Sequence, residues 1–281
     1  MAPKDVELIF PTGTSDDSLS RAILADLAIV VVGEHPIRSG EASSISTLDL
    51  PAGQREMLET FADNGIPVVL IVLAGRPLAI GREANLAQAV LYAWHPGVEG
   101  GYAIAEVLFG QAAPGGRLPV TFPRTVGQVP IYYNHRNTGR PPVKGSFCSR
   151  YIDLPIGPLY PFGFGLSYTT FAYANLSVAA GARVIEVAAD VTNTGSRAGV
   201  EVAQLYVRDL VGSLTRPVKE LKGFQRVALH PGQTQRVRFT VAREDLAFTG
   251  IDEQPTVEPG EFHVWVGSHS AEGLAGEFVL T

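Results

Sequence analysis

Two glutamates and a histidine lie in one polar stretch, residues 33–44, that directly follows a strongly apolar run at 27–32. Such a β-branched run predicts a strand that is buried on both faces of a parallel sheet. In sheets of this kind, ligands bind at the carboxyl ends of the strands. The stretch is therefore the first candidate for a functional site. Its side chains suited to acid-base chemistry or ligand contact are Glu34, His35 and Glu41.

Two more apolar runs predict strands at residues 68–73 and 89–94, and they end just before Gly75 and His95. Parallel strands bring their carboxyl ends to the same edge of a sheet. The polar groups that follow the three strands are therefore expected to converge. His95 is a candidate ligand contact on this ground, although a lone histidine is more often packed or solvated than functional.

Helical patterns alternate with these strands. They cover residues 16–25, about 51–64 and 103–108, and a further short strand is predicted over residues 6–10. Regular alternation of strand and helix favours an α/β domain with a mostly parallel sheet covered on both faces.

From about residue 176 onward the apolar pattern changes to period two, and turn residues such as those at 193–195 interrupt it. About seven short strands in roughly 105 residues are typical of an immunoglobulin-like β-sandwich. We therefore predict an α/β domain over residues 1–145, an ordered connection over 146–173 and an all-β domain over 174–281.

Composition excludes several classes of function. The 281 residues are 46% apolar and 18% charged, as in ordinary globular proteins. A net charge of −6 without a basic run argues against nucleic acid binding, and the apolar runs are too short to span a membrane.

The single Cys148 cannot form an internal disulfide. The six scattered histidines show no metal-ligand spacing, and no phosphate-binding fingerprint or serine elbow is present, so no metal or cofactor is predicted.

A series of short motifs runs in order along nearly the whole chain. They occupy residues 28–34, 41–44, 75–78, 96–101, 115–119, 132–135, 137–141, 160–168 and 216–224. Taken together, these motifs resemble the C-terminal half of glycoside hydrolase family 3 β-glucosidases, especially the bacterial periplasmic kind.

The resemblance implies a fold and a role for the chain. Members of the family combine an N-terminal barrel, an α/β sandwich and a fibronectin-III-like domain. This chain resembles most of the sandwich, without its first strand and helix, and all of the fibronectin-III-like β-sandwich. Glu41 matches the family's acid/base glutamate, whereas the nucleophilic aspartate belongs to the barrel and has no counterpart here. Ile45 stands where relatives often carry an arginine.

The implied activity is retaining hydrolysis of terminal, non-reducing β-D-glucosyl residues. Glu34, His35 and His95 are the candidate substrate-binding residues because of their positions at strand ends, although a structural role is the stronger interpretation of Glu34. Retaining glycosidases need two carboxyls about 5–5.5 Å apart, and the acid must hold its proton near neutral pH. The implied partners are therefore a β-glucoside or oligosaccharide and a barrel domain or chain. Self-association through the exposed sandwich face is the alternative to a barrel. The resemblance also suggests export to the periplasm or secretion.

Two other hypotheses stay open at this point. The chain could be a non-catalytic module that binds carbohydrate or a partner protein through the same surface. Alternatively, it could be an autonomous hydrolase that pairs Glu41 with Glu34 or another local carboxylate.

Overall fold

The computed structural model describes Pro3 and residues 5–10, 22–141 and 147–281. Contacts divide the chain into two compact units. The first contains Met1–Ala112 and Phe122–Pro130, and the second contains Ala113–Thr121 and Ile131–Thr281. Most of the helix predicted over residues 16–25 lies outside the described residues.

The first unit is built on a three-stranded, wholly parallel sheet. Its strands are β1 (Ala28–Gly33), β2 (Val68–Leu73) and β3 (Ala89–Tyr92), in that order across the sheet. The helices are α1 (Gln54–Asp63), α2 (Gly81–Leu86) and α3 (Gly100–Leu108). This arrangement confirms the predicted α/β class for the N-terminal part. None of the helices in the described ranges has the length and apolar composition that a bilayer-spanning segment needs.

Local sequence explains where α1 begins and ends. Gly53 precedes it with a left-handed φ of 85°, and Gly65 follows it with a φ of 73°. Leu58 and Phe61 form its buried face. The helix α2 was not predicted. Its Glu83 side chain is buried and pairs with Arg55 of α1, with 2.6 Å between the Arg55 Nε and a Glu83 carboxylate oxygen.

The burial predicted for β1 is wrong on one face. The strand β2 is covered on both faces, but β1 alternates between buried and exposed residues. Ile29 and Val31 are 40% and 53% exposed. The physical reason is that both side chains point to the same face of the sheet, and no described element buries that face at β1. Residues 6–10, predicted as a strand, form no regular strand.

The second unit is a β-sandwich, as predicted. Its seven strands are β4 (Phe171–Ala180), β5 (Val184–Asn193), β6 (Gly199–Asp209), β7 (Glu220–Leu229), β8 (Thr234–Ala242), β11 (Gly260–His269) and β12 (Glu272–Leu280). One sheet has the order β12-β11-β6-β7 and the other the order β4-β5-β8, and all neighbours are antiparallel. Two-residue strands β9 (Phe248–Thr249) and β10 (Pro255–Thr256) pair with each other.

Alternating side chains of the two sheets fill one apolar core. Its fully buried members include Ile185, Val187, Leu205, Val237 and Val264. The period-two pattern of the sequence therefore corresponds to residues that point alternately into this core and toward solvent.

The described part of the segment that precedes β4 in the second unit packs onto the sandwich; it includes Tyr133, which was predicted to belong to the α/β domain. The Tyr133 ring stacks on Phe162 with centroids 4.5 Å apart, and its edge meets buried Tyr206. The Tyr133 hydroxyl accepts a hydrogen bond from the Leu221 amide at 3.2 Å. These aromatic contacts explain why the segment is apolar without having a regular pattern.

We predict that Gly33→Ala destabilises the first unit by about 3 kcal/mol. Gly33 has a φ of 149°, and a Cβ at this position would lie 1.9 Å from the Leu73 carbonyl oxygen of the neighbouring strand. The measurement is urea unfolding of parent and variant.

Gly101→Ala is the matched control for Gly33→Ala. Gly101 lies within α3, and a Cβ there would meet open space. Alanine should be neutral or slightly stabilising at this helical position. Equal stability of the two variants would contradict the close approach of β1 and β2 at Gly33.

Candidate active-site edge

The polar loop begins at a tightly fixed point at the end of β1. The Glu34 amide donates to the Leu73 carbonyl at 2.9 Å, which extends the pairing of β1 with β2 by one bond. The Gln54 side chain of α1 bonds both the amide and the carbonyl of Gly33, each at 2.9 Å. The direction in which the chain leaves the sheet is therefore set by backbone contacts on both sides.

The Glu34 carboxylate forms the centre of an ion-pair cluster. Its side chain is 1% exposed. The Arg76 Nε lies 2.9 Å from Oε2, in an ion pair without hydrogen-bond alignment, and the Arg38 Nε donates to Oε1 at 3.5 Å. Arg76 also donates through Nη2 to the Arg38 carbonyl. Since an unpaired buried charge is very costly, these contacts tie the start of the loop to the end of β2.

His35 caps the short 3₁₀ helix Pro36–Arg38. Its Nδ1 accepts a hydrogen bond from the Ile37 amide at 3.3 Å. The residue is otherwise exposed. The structure thus gives His35 a local role in shaping the loop, and its predicted contact with substrate stays a prediction.

Glu41 lies at the tip of a turn farther along the loop. The Ser43 amide donates to the Gly40 carbonyl at 3.3 Å, and Ala42 adopts a left-handed φ of 57°. The Ser43 hydroxyl is within hydrogen-bonding distance of the Ile37 carbonyl, which joins the turn to the 3₁₀ helix. Glu41 is exposed, and no described side chain pairs with its carboxylate. Within the described part of the chain, nothing therefore keeps this carboxyl group from meeting a group from outside.

His95 lies at the same sheet edge. A Cβ on Gly75 would be 2.4 Å from the His95 Nε2, so the imidazole covers the backbone just after β2. Trp94 precedes it with a left-handed φ of 53° and packs its ring against Tyr92 and Phe122. The ends of β1, β2 and β3 thus converge as the parallel arrangement requires, with Glu34 and His95 among the groups at that edge.

Sequence reasoning did not assign a role to Arg38, Arg76 or Tyr92. The Tyr92 hydroxyl donates to the Arg76 carbonyl and accepts from the Leu78 amide at 3.3 Å, so it holds the turn that carries Arg76. The sequence signal that could have identified Arg76 was its position after Gly75, just beyond a buried strand. Its partner Glu34, however, is distant in sequence.

Burial raises the pKa of Tyr92 to about 12. The Leu78 amide opposes this shift by donating a hydrogen bond to the phenolic oxygen. The negative charge of Glu34 adds to the shift because it disfavours a phenolate, whereas Arg76 opposes it.

Comparisons with known proteins identify the family of the chain. Residues 12–168 match the family described as Glycosyl hydrolase family 3 C-terminal domain, and residues 201–270 match a Fibronectin type III-like domain. The chain therefore belongs to the glycosyl hydrolase family 3 C-terminal domain family, with the predicted second domain after it.

Individual relatives are similar to this chain over most of its length. The chain is 43% identical over 277 residues to a periplasmic beta-glucosidase of Salmonella typhimurium, covering 96% of this chain and 36% of that protein. It is 41% identical over 259 residues to a beta-xylosidase of Formosa agariphila, covering 90% and 35%. A crystal structure of a beta-glucosidase from Listeria innocua with glucose superposes with a TM-score of 0.91 at 35% identity, covering 96% and 39%. The chain thus spans little more than a third of these relatives.

We predict that Glu34→Gln lowers the free energy of unfolding by about 2–3 kcal/mol, because it removes the charge that two arginines share. The measurement is urea unfolding at neutral pH. Glu56→Gln, an exposed position on α1, is the matched control and should change stability by less than about 0.5 kcal/mol. Equal effects of the two variants would contradict the anchoring role of Glu34.

We predict that Tyr92 makes stability fall at high pH. The folded-state pKa of Tyr92, about 12, exceeds the usual value near 10. The stability that the protonated hydroxyl contributes is therefore fully present below about pH 10 and is lost between about pH 10 and 12. Between pH 9 and 11, the parent should lose about 1 kcal/mol more than Tyr92→Phe. Urea unfolding of both proteins at the two pH values measures this difference. Equal losses of stability in the two proteins between pH 9 and 11 would contradict the raised pKa of Tyr92.

Proposed function

We propose that this chain is the C-terminal part of a retaining β-glycosidase and that Glu41 is its acid/base residue. The proposed reaction is hydrolysis of terminal, non-reducing β-D-glucosyl residues. The observation that carries the proposal is an exposed carboxylate, paired with no side chain in the described ranges, on a loop that the buried Glu34 fixes to the edge of a parallel sheet. Membership of the family and relatives named as beta-glucosidases support the same assignment.

The chemistry assigns two successive steps to Glu41. A nucleophilic carboxylate attacks the anomeric carbon, while protonated Glu41 gives its proton to the departing glycosidic oxygen. The deprotonated Glu41 then takes a proton from water, whose oxygen attacks the same carbon and releases the nucleophile. The nucleophile is expected from the barrel that the family resemblance implies.

Glu34 is less suited to either catalytic role. Its carboxylate is buried and engaged by Arg38 and Arg76. A nucleophile or proton donor must reach the substrate, and Glu34 could do so only by breaking these contacts. This argues against an autonomous hydrolase that pairs Glu41 with Glu34. It supports a division in which Glu34 holds the loop and Glu41 performs proton transfer.

A partner is part of the proposal, because exposed Glu41 lacks what a general acid needs. Its proton must be retained near neutral pH, which takes burial or a nearby negative charge. A barrel closing over the loop would supply both. Ile37, Val98 and Tyr102 are large apolar residues exposed in the first unit, as expected for a surface that another domain covers. His95 is proposed as a sugar contact at the same edge.

The decisive experiment is a chimera. The part of the Salmonella periplasmic beta-glucosidase that this chain does not match is joined to this chain, which replaces the matched segment. We expect hydrolysis of a nitrophenyl β-glucoside, and we expect Glu41→Gln to lower kcat by about 10²–10⁴-fold because proton transfer is lost.

Glu56→Gln in the same chimera is the control and should retain the parent rate. A nitrophenyl β-xyloside, assayed in parallel, tests the sugar preference that the Formosa relative raises. A folded chimera that hydrolyses neither substrate would contradict the proposed function. An unchanged rate in Glu41→Gln would contradict the role of Glu41.

A further inference from the structure

A second cluster of potential ligand side chains lies on the β-sandwich, within the second unit. Glu261 and His263 are alternate residues on β11, so they lie on the same face of the sheet. Glu277 is directly opposite His263 on β12. The strand pairing fixes the positions of all three backbones.

The ligand atoms of these residues converge. One atom from each of Glu261, His263 and Glu277 lies within 4.8 Å of the other two. The His263 Nε2 is 3.7 Å from a Glu261 oxygen, which is too long for a hydrogen bond. Two ligands that share a tetrahedral zinc ion are about 3.4 Å apart, given bonds of about 2.0–2.1 Å. Zinc binding therefore requires side-chain rotations that bring the ligand atoms closer by up to about 1.4 Å.

The surroundings favour a defined site over a loose group of charges. The His263 ring meets the Trp265 ring edge to face, with centroids 5.8 Å apart and planes at 80°, and this contact orients the imidazole. Phe262 and Val264, on the opposite face of β11, are buried in the core and hold the strand in place. Glu261 and Glu277 are exposed, so an ion and its remaining water ligands can reach the cluster.

The charges also favour a cation. The two carboxylates have oxygens within 4.8 Å of each other, so they repel, and a divalent ion between them removes this repulsion. Arg208 on β6 lies opposite His263 on the side away from Glu277, so it does not separate the three ligands. One nitrogen and two carboxylate ligands suit zinc, whereas calcium and magnesium prefer oxygen ligands alone.

We propose that Glu261, His263 and Glu277 form a zinc site that joins β11 to β12, with water completing the coordination. The site does not depend on the function proposed for the sheet edge of the first unit. Because the three ligands come from two strands, bound zinc ties the last hairpin of the sandwich together.

The test is calorimetric titration of the chelator-treated chain with zinc chloride in a buffer that does not bind metals. We expect one zinc per chain, a micromolar dissociation constant and a higher Tm with zinc than with EDTA. His263→Ala and Glu277→Gln should each weaken binding at least tenfold. Cobalt(II) should give visible absorption bands that His263→Ala abolishes.

His230→Ala is the matched control, because His230 is an exposed histidine beyond the end of β7 and should leave binding unchanged. Each variant must melt at the parental Tm in EDTA, and Glu277→Gln replaces His263→Ala if the latter fails to fold. Zinc binding far below one ion per chain would overturn the proposal. So would binding that His263→Ala and Glu277→Gln leave unchanged.

Discussion

The buried carboxylate of Glu34 is the constraint on which the first unit's functional edge depends. It is 1% exposed and is compensated by arginines that come from two separate places, the 3₁₀ helix after β1 and the turn after β2. Removing a carboxylate from water is costly, so the cluster is stable only when the loop and the turn lie together. The ion pairs of Glu34 therefore hold the segments that follow β1 and β2 together, so that they form one surface.

The surface built in this way separates the supporting residues from Glu41, the proposed acid/base residue. Gly33, Gln54, Arg76 and Tyr92 are held by backbone contacts, and together they determine where the loop leaves the sheet. Glu41 lies farther along the loop, on a turn, and its side chain pairs with no described residue. This division suits a site whose other half comes from elsewhere, because a group that must meet a second domain cannot already be paired. The short coverage of the relatives agrees with that interpretation.

Much of this organisation could be predicted from the sequence. The strand at residues 68–73 was predicted with its observed limits, since six consecutive apolar residues bounded by Pro67 and Ala74-Gly75 leave little choice. Convergence of the strand ends followed from parallel pairing, and the period-two pattern correctly indicated the β-sandwich. Such features depend on local pattern and on general rules of topology, both of which a single sequence contains.

Other features could not be predicted because they depend on which residues meet in space. The pairing of Arg76 with Glu34 joins two strand ends, and local periodicity does not encode it. The exposed face of β1 depends on which other elements pack over the sheet, and the composition of the strand alone does not reveal this. The Glu261–His263–Glu277 cluster uses a cross-strand pair, so a search for ligand spacing along the chain does not detect it.

The central claim is that Glu41 protonates the leaving group, and the dependence of rate on leaving-group acidity tests it most directly. Dinitrophenol is acidic enough to leave as its anion without receiving a proton, whereas the much less acidic phenol needs a proton from the enzyme to leave. In the chimera, Glu41→Ala should therefore form the glycosyl-enzyme from dinitrophenyl β-glucoside within about tenfold of the parent rate. Hydrolysis of phenyl β-glucoside should fall by about 10³-fold. Equal losses for both substrates in single-turnover measurements would contradict the assignment.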